Sequence, residues 1–76
     1  MDRLQAMAVF VRVVDCGGFT RAAEVLRMPK ATVTTLVQQL EAHLGVKLLN
    51  RTTRRVSVTA DGAAYYERCV RILAEV

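Results

Sequence analysis

Apolar residues fall in blocks along this chain, and the spacing inside the blocks changes character several times. From Leu4 to Asp15 they are dense, with Leu4, Met7, Ala8, Val11 and Val14 at helical spacing and Phe10 and Val13 widening the stripe. Val9, Val11, Val13 and Val14 are β-branched and would also suit a strand. The length of the run, uninterrupted by a turn signal, favours a mostly buried helix. Cys16-Gly17-Gly18 closes it, glycine being the usual terminator. Thr20 is a good N-cap for a short helix over Arg21 to Leu26, rich in strong helix formers. Arg27-Met28-Pro29 reads as a sharp break, and Pro29 suits the first turn of a new helix, where its missing N–H costs nothing. Lys30 to Leu44 is that helix, with Val33, Val37, Leu40 and Leu44 on one face and Gly45 at its end.

A short helix, a tight turn and a longer helix in succession are the grammar of a helix-turn-helix. Beyond Gly45 the period shortens. Val46 to Leu49 and Val56-Ser57-Val58 are candidate strands around the polar, basic tip Asn50-Arg51-Thr52-Thr53-Arg54-Arg55, which makes a β-hairpin wing. Thr59 then caps a last helix, with Asp61 in its first turn. No stop signal stands at Val76, so that helix is expected to continue past it. Ala63, Tyr66, Val70 and Leu73 recur along it in steps of three and four, a coiled-coil-like seam, with Tyr65, Cys69 and Ile72 beside them. One side is expected to cover the core and the rest to meet a second chain, because the helix is too apolar for a free surface. The predicted fold is therefore mainly α. It comprises a winged helix-turn-helix of three helices and a β-hairpin over residues 1–58, followed by a long linker helix over residues 59–76.

Composition sharpens this picture. A chain of 76 residues has room for one small domain with a thin core, which support from a partner chain would reinforce. Its 53% hydrophobic content excludes a disordered segment. The net charge of +4, from 11 Lys and Arg against 7 Asp and Glu, favours an anionic partner, and the placement of the charges matters more than their sum. No acid occurs between Glu41 and Asp61, whereas Lys47, Arg51, Arg54 and Arg55 do. Arginine at a hairpin tip can contact phosphates or enter a narrow minor groove.

On the helix from Lys30 to Leu44, the side opposite the apolar face carries Ala31, Thr34, Thr35, Gln38 and Ala42, which are small, uncharged and in part polar. A merely solvated face usually carries Lys and Glu. Gln can pair with adenine, and a Thr methyl can touch the thymine methyl. Cys16 and Cys69 are far apart and have no His at ligand spacing, so two reduced, buried thiols are expected rather than a metal site or a disulfide. Reduced thiols suit a reducing cytoplasm. His43, near a helix end, suits the C-terminal dipole. No signal peptide opens the chain and no apolar stretch approaches the ~20 residues that span a bilayer, so a soluble cytoplasmic protein without membrane partners is expected. No catalytic or phosphate-loop motif is present, which leaves no basis for an enzyme or a cofactor.

Phe19-Thr20-Arg21-Ala22-Ala23-Glu24-Val25-Leu26, then Leu40 through Gly45 to Arg55, then Thr59-Ala60-Asp61-Gly62 resemble the amino-terminal domain of LysR-type transcriptional regulators. The resemblance covers essentially the whole chain. It implies a winged helix-turn-helix on double-stranded operator DNA, usually an inverted repeat. It also implies a linker helix that pairs two chains, a tetramer in the full-length protein, and a small-molecule effector bound by a larger carboxy-terminal domain absent from this chain.

Carried over by position, recognition-helix contacts come from Lys30, Ala31, Thr34 and Thr35, with Thr32 and Gln38 beside them. Wing contacts come from Arg51, Thr53, Arg54 and Arg55, and phosphate contacts from Thr20 and Arg21, which open the short helix. Dimerisation falls to Ala63, Tyr66, Val70 and Leu73. Pro29, Ala31 and Thr35 replace the family's usual Ser, Pro and Arg, which bears on base preference. The alternative is a helical interaction module that dimerises through its last helix and whose wing binds an acidic protein. It leaves the uncharged Thr and Gln face unexplained.

Overall fold

A computed structural model of the chain describes residues 2–51 and 55–76. The elements are α1 (Arg3–Cys16), α2 (Phe19–Leu26), α3 (Lys30–Leu44), β1 (Leu49–Arg51), β2 (Val56–Val58) and α4 (Ala60–Ala74). The mainly helical reading with a two-stranded wing is borne out. β1 and β2 pair antiparallel with Leu49 opposite Val58, Asn50 opposite Ser57 and Arg51 opposite Val56.

The β-branched run at the start is helical because it is surrounded. α1 packs against α2, α3 and α4, so burial overrides the strand preference of its valines. Its buried face is Ala6, Met7, Val9, Phe10 and Val13. The expected stripe is thus rotated: Leu4 is exposed, and Ala8, Val11 and Val14 are half-buried. Asp2 caps the helix through Gln5 N, and Gly17 closes it at φ 74, a left-handed conformation that favours glycine.

Thr20 is not the cap of α2. The helix begins two residues earlier than expected, at Phe19, which turns that ring into the core, and Gly18 holds the N-cap without a side-chain bond. Pro29 likewise sits at the N-cap of α3 rather than in its first turn, and its carbonyl accepts from Thr32 N and Val33 N. Between these helices Arg27 adopts φ 57, and its N–H and that of Met28 donate to the last carbonyls of α2, closing the turn tightly.

The bounds of α3 match the sequence reading, as does the cap at Gly45 (φ 70). Val33, Val37 and Leu40 are fully buried, while Leu44 is exposed near the end of the helix. His43 near that end is also exposed. Arg3 donates to its Nε2 at 2.7 Å, which brings the Arg3 guanidinium to the same helix end.

The expected strand from Val46 to Leu49 is the largest displacement. Pairing starts only at Leu49, because the chain before it is fastened to helices instead. Glu41 Oε2 accepts from Leu48 N at 2.8 Å and Leu49 N at 3.2 Å. The Leu48 carbonyl accepts from Thr59 N at 3.0 Å, and Thr59 Oγ1 donates to the Lys47 carbonyl at 2.6 Å. Thr59 Oγ1 also accepts from Gly62 N, as a capping threonine should.

The inner side of α4 is Gly62 and Cys69, with Tyr65 half-buried and its ring 5.8 Å from that of Phe10. Burial pushes up both the Cys69 thiol and the Tyr65 phenol. Cys16 is half-buried rather than buried, and both thiols are free. Among the described residues no helix is long and apolar enough to cross a membrane.

Candidate nucleic-acid interface

α2 and α3 meet at the Arg27–Pro29 turn, and the two-stranded wing follows α3 and comes to stand beside the start of α2. Between them lies an open groove of about 430 Å³. Thr20, Arg21, Lys30, Thr34, Arg51 and Arg55 all line it. These six come from three parts of the sequence and two different structural classes, yet they share one concave surface. The described lining contains four cations and no carboxylate. Such a surface concentrates positive potential toward an anionic ligand. The first turn of α2 lies in the same lining, so backbone N–H groups of a helix start accompany the side chains.

The outer surface of α3 divides in two. Thr34, half-buried, faces the groove together with Lys30. Ala31, Thr32 and Thr35 are exposed and border a shallower depression on the helix surface that also takes in Leu36 and Gln39. Gln38 is exposed one turn further on. An uncharged, exposed helix face flanked by cations is therefore a property of the folded surface and not just of the sequence pattern. Thr53 and Arg54, two of the expected wing contacts, lie outside the described residues.

Phe19 and Glu41 shape this site, although sequence reasoning gave neither of them a part in it. The Phe19 ring lies beneath Arg51, at the end of β1, whose guanidinium carbon stands 4.3 Å from the ring centroid. Glu41 holds the root of the wing by accepting from two successive backbone N–H groups. Glu41 carried a signal, as the single acid between Glu24 and Asp61 in an otherwise basic stretch. Phe19 carried none, since a buried phenylalanine at a helix start reads simply as core.

On α4 the expected seam is split. Val70 is exposed, Ala63 is exposed, Leu73 is half-buried, and Tyr66 donates its hydroxyl hydrogen to Asp15 Oδ1 on α1. That bond, before any burial, raises the Tyr66 phenol above its ordinary value. Ile72, placed beside the seam, is 42% exposed, as is Val70. Two large aliphatic side chains of α4 thus remain open to solvent.

Comparison with known proteins places this geometry. Residues 4–63 match the family model described as "Bacterial regulatory helix-turn-helix protein, lysR family". The chain is 58% identical, over all 76 residues, to an HTH-type transcriptional repressor of Pseudomonas aeruginosa, and covers 24% of that protein. It is 52% identical over 71 residues to the HTH-type transcriptional regulator CrgA of Neisseria meningitidis, covering 93% of this chain and 24% of CrgA. The chain therefore spans about a quarter of the length of these curated relatives. Among solved structures it is similar to the DNA-binding domain of BenM in complex with catB site 1 DNA. There the TM-score is 0.93 at 33% identity, over 99% of this chain and 83% of that one.

Proposed function

The chain belongs to the LysR family of bacterial regulatory helix-turn-helix proteins, and from that premise we propose that it is the part of a transcription regulator that reads DNA. It is a regulator's domain and not an enzyme, as the family and the named relatives are. The observation that carries the reading is the groove in which Thr20, Arg21, Lys30, Thr34, Arg51 and Arg55 converge with no carboxylate among the described lining. α3 enters the major groove, where Ala31, Thr32, Thr34, Thr35 and Gln38 meet base edges. Lys30, Thr20 and Arg21 meet backbone phosphates, and the wing, through Arg51, Thr53, Arg54 and Arg55, meets the adjacent backbone or minor groove. Phosphate contacts give affinity without sequence, and the contacts of α3 give the sequence preference.

The finer assignments follow from the same reading. Two copies pair through Ala63, Tyr66, Val70 and Leu73 of α4. Their recognition helices then address half-sites of an inverted repeat, about 34 Å or one helical turn apart. The parent protein assembles as a tetramer and senses a small molecule through a domain outside these 76 residues. It works in the cytoplasm, needing neither cofactor nor membrane.

Fluorescence-anisotropy titration of this chain against a random duplex and an inverted-repeat duplex from upstream of its own gene, at several salt concentrations, tests the proposal. Salt-dependent binding with a preference for the inverted repeat is expected. A folded protein that leaves both duplexes unbound at low salt refutes it and favours the protein-interaction module.

A further inference from the structure

Phe19 belongs to the buried core, and its ring also meets a charged side chain of the wing. The Arg51 guanidinium carbon stands 4.3 Å from the ring centroid, within the range where a cation is attracted by an aromatic face. The two residues are far apart in the chain and belong to different elements, the start of α2 and the end of β1. Arg51 itself is exposed. It ends a strand of three residues, where nothing in the ladder dictates the position of a long side chain. A flexible arginine must be ordered when it binds, and that ordering weakens the complex.

A stacked guanidinium is held through its face, whereas its N–H donors lie in its plane and stay available to an anion. Phe19 and Arg51 both line the groove, next to Thr20, Arg21 and Lys30. We propose that Phe19 is a positioning residue, whose ring fixes the Arg51 guanidinium at the root of the wing in readiness for a DNA backbone phosphate. The proposal rests on the reading of this groove as the DNA surface. It assigns Phe19 a part in binding that an aliphatic core residue of similar volume would not play.

The test is a double-mutant cycle on this chain, titrated against a short random-sequence duplex at several salt concentrations. Folding of each variant is checked by helical circular dichroism. Phe19→Leu is expected to weaken binding about two- to fivefold, the strength of one exposed cation–π contact converted at tenfold per 1.4 kcal/mol. The salt slope should stay unchanged, because no charge is lost. Arg51→Ala should lower the slope by about 0.9, one phosphate contact. Phe19→Leu should then cause no further loss in the Arg51→Ala background, and Phe19→Tyr should bind as the parent does.

A loss from Phe19→Leu that is equal in both backgrounds, or no loss at all, overturns the positioning role while leaving the DNA reading intact. No binding by the unmodified chain overturns both. Should Phe19→Leu fail to fold, nuclear magnetic resonance of the unmodified chain decides. Arg51 side-chain protons carrying the ring's upfield shift, free and DNA-bound, support the stack as a binding element, and their absence in either state overturns it.

Discussion

The root of the wing and the groove beside it are built on opposite terms. At the root, Leu48 is fully buried, its N–H donates to Glu41, and its carbonyl accepts from Thr59. Gly62 approaches so closely that a Cβ there would lie 2.0 Å from the Leu48 carbonyl oxygen. In the groove, by contrast, Arg21, Lys30, Arg51 and Arg55 stand exposed along an open surface with no carboxylate among the described lining. Backbone groups are satisfied inside the protein where position must be fixed, and cations line the surface where a ligand can meet them. Substitutions at the root should therefore be read in stability, and substitutions in the groove in binding.

The sharpest way to break this contrast is Gly62→Ala. The added methyl collides with backbone that cannot swing aside, so a loss of about 2–3 kcal/mol in denaturant unfolding is expected, and an unchanged midpoint contradicts the close approach. Glu41→Ala comes next. It strips two N–H groups of their charged acceptor and should cost about 2 kcal/mol, with faster amide exchange at Leu48 and Leu49.

In the groove the expectation reverses. Arg55→Ala removes one of the four cations of the groove. It should weaken binding to every duplex by about 1.5 kcal/mol and lower the salt slope by about 0.9. A loss confined to one sequence would contradict a backbone role. The smallest effect is that of Thr35→Ala, which should shift discrimination at one base position by about 1 kcal/mol and leave random-duplex affinity alone. Unchanged preference across an operator library counts against its place on a base edge.

Local chemistry made much of the fold legible. The periodicity of Val33, Val37 and Leu40, the glycines at 17 and 45, and the capping Thr59 each act within a few residues of themselves, so the sequence displays them directly. The run of cations after Glu41, with no acid in sequence before Asp61, was equally plain. Long-range decisions were not. Which face of α1 is buried depends on three helices that surround it, and so the stripe turned from Leu4 and Val11 toward Ala6, Phe10 and Val13. The wing begins at Leu49 and not at Val46 because Glu41 and Thr59 hold Leu48 from opposite sides, and no strand propensity reports that.

By itself, then, the chain determined its helices, the existence of a wing and the sign of its charge, because these depend on neighbours in sequence, although α2 starts two residues before the expected Arg21 and α4, expected to run past Val76, closes at Ala74. The tertiary structure alone decided that Phe19 should lie under Arg51, that Tyr66 should reach Asp15, and that six residues from α2, α3 and the wing should share one groove. Those pairings join positions far apart along the chain, and contact between them exists only once the core between α1, α3 and α4 has closed.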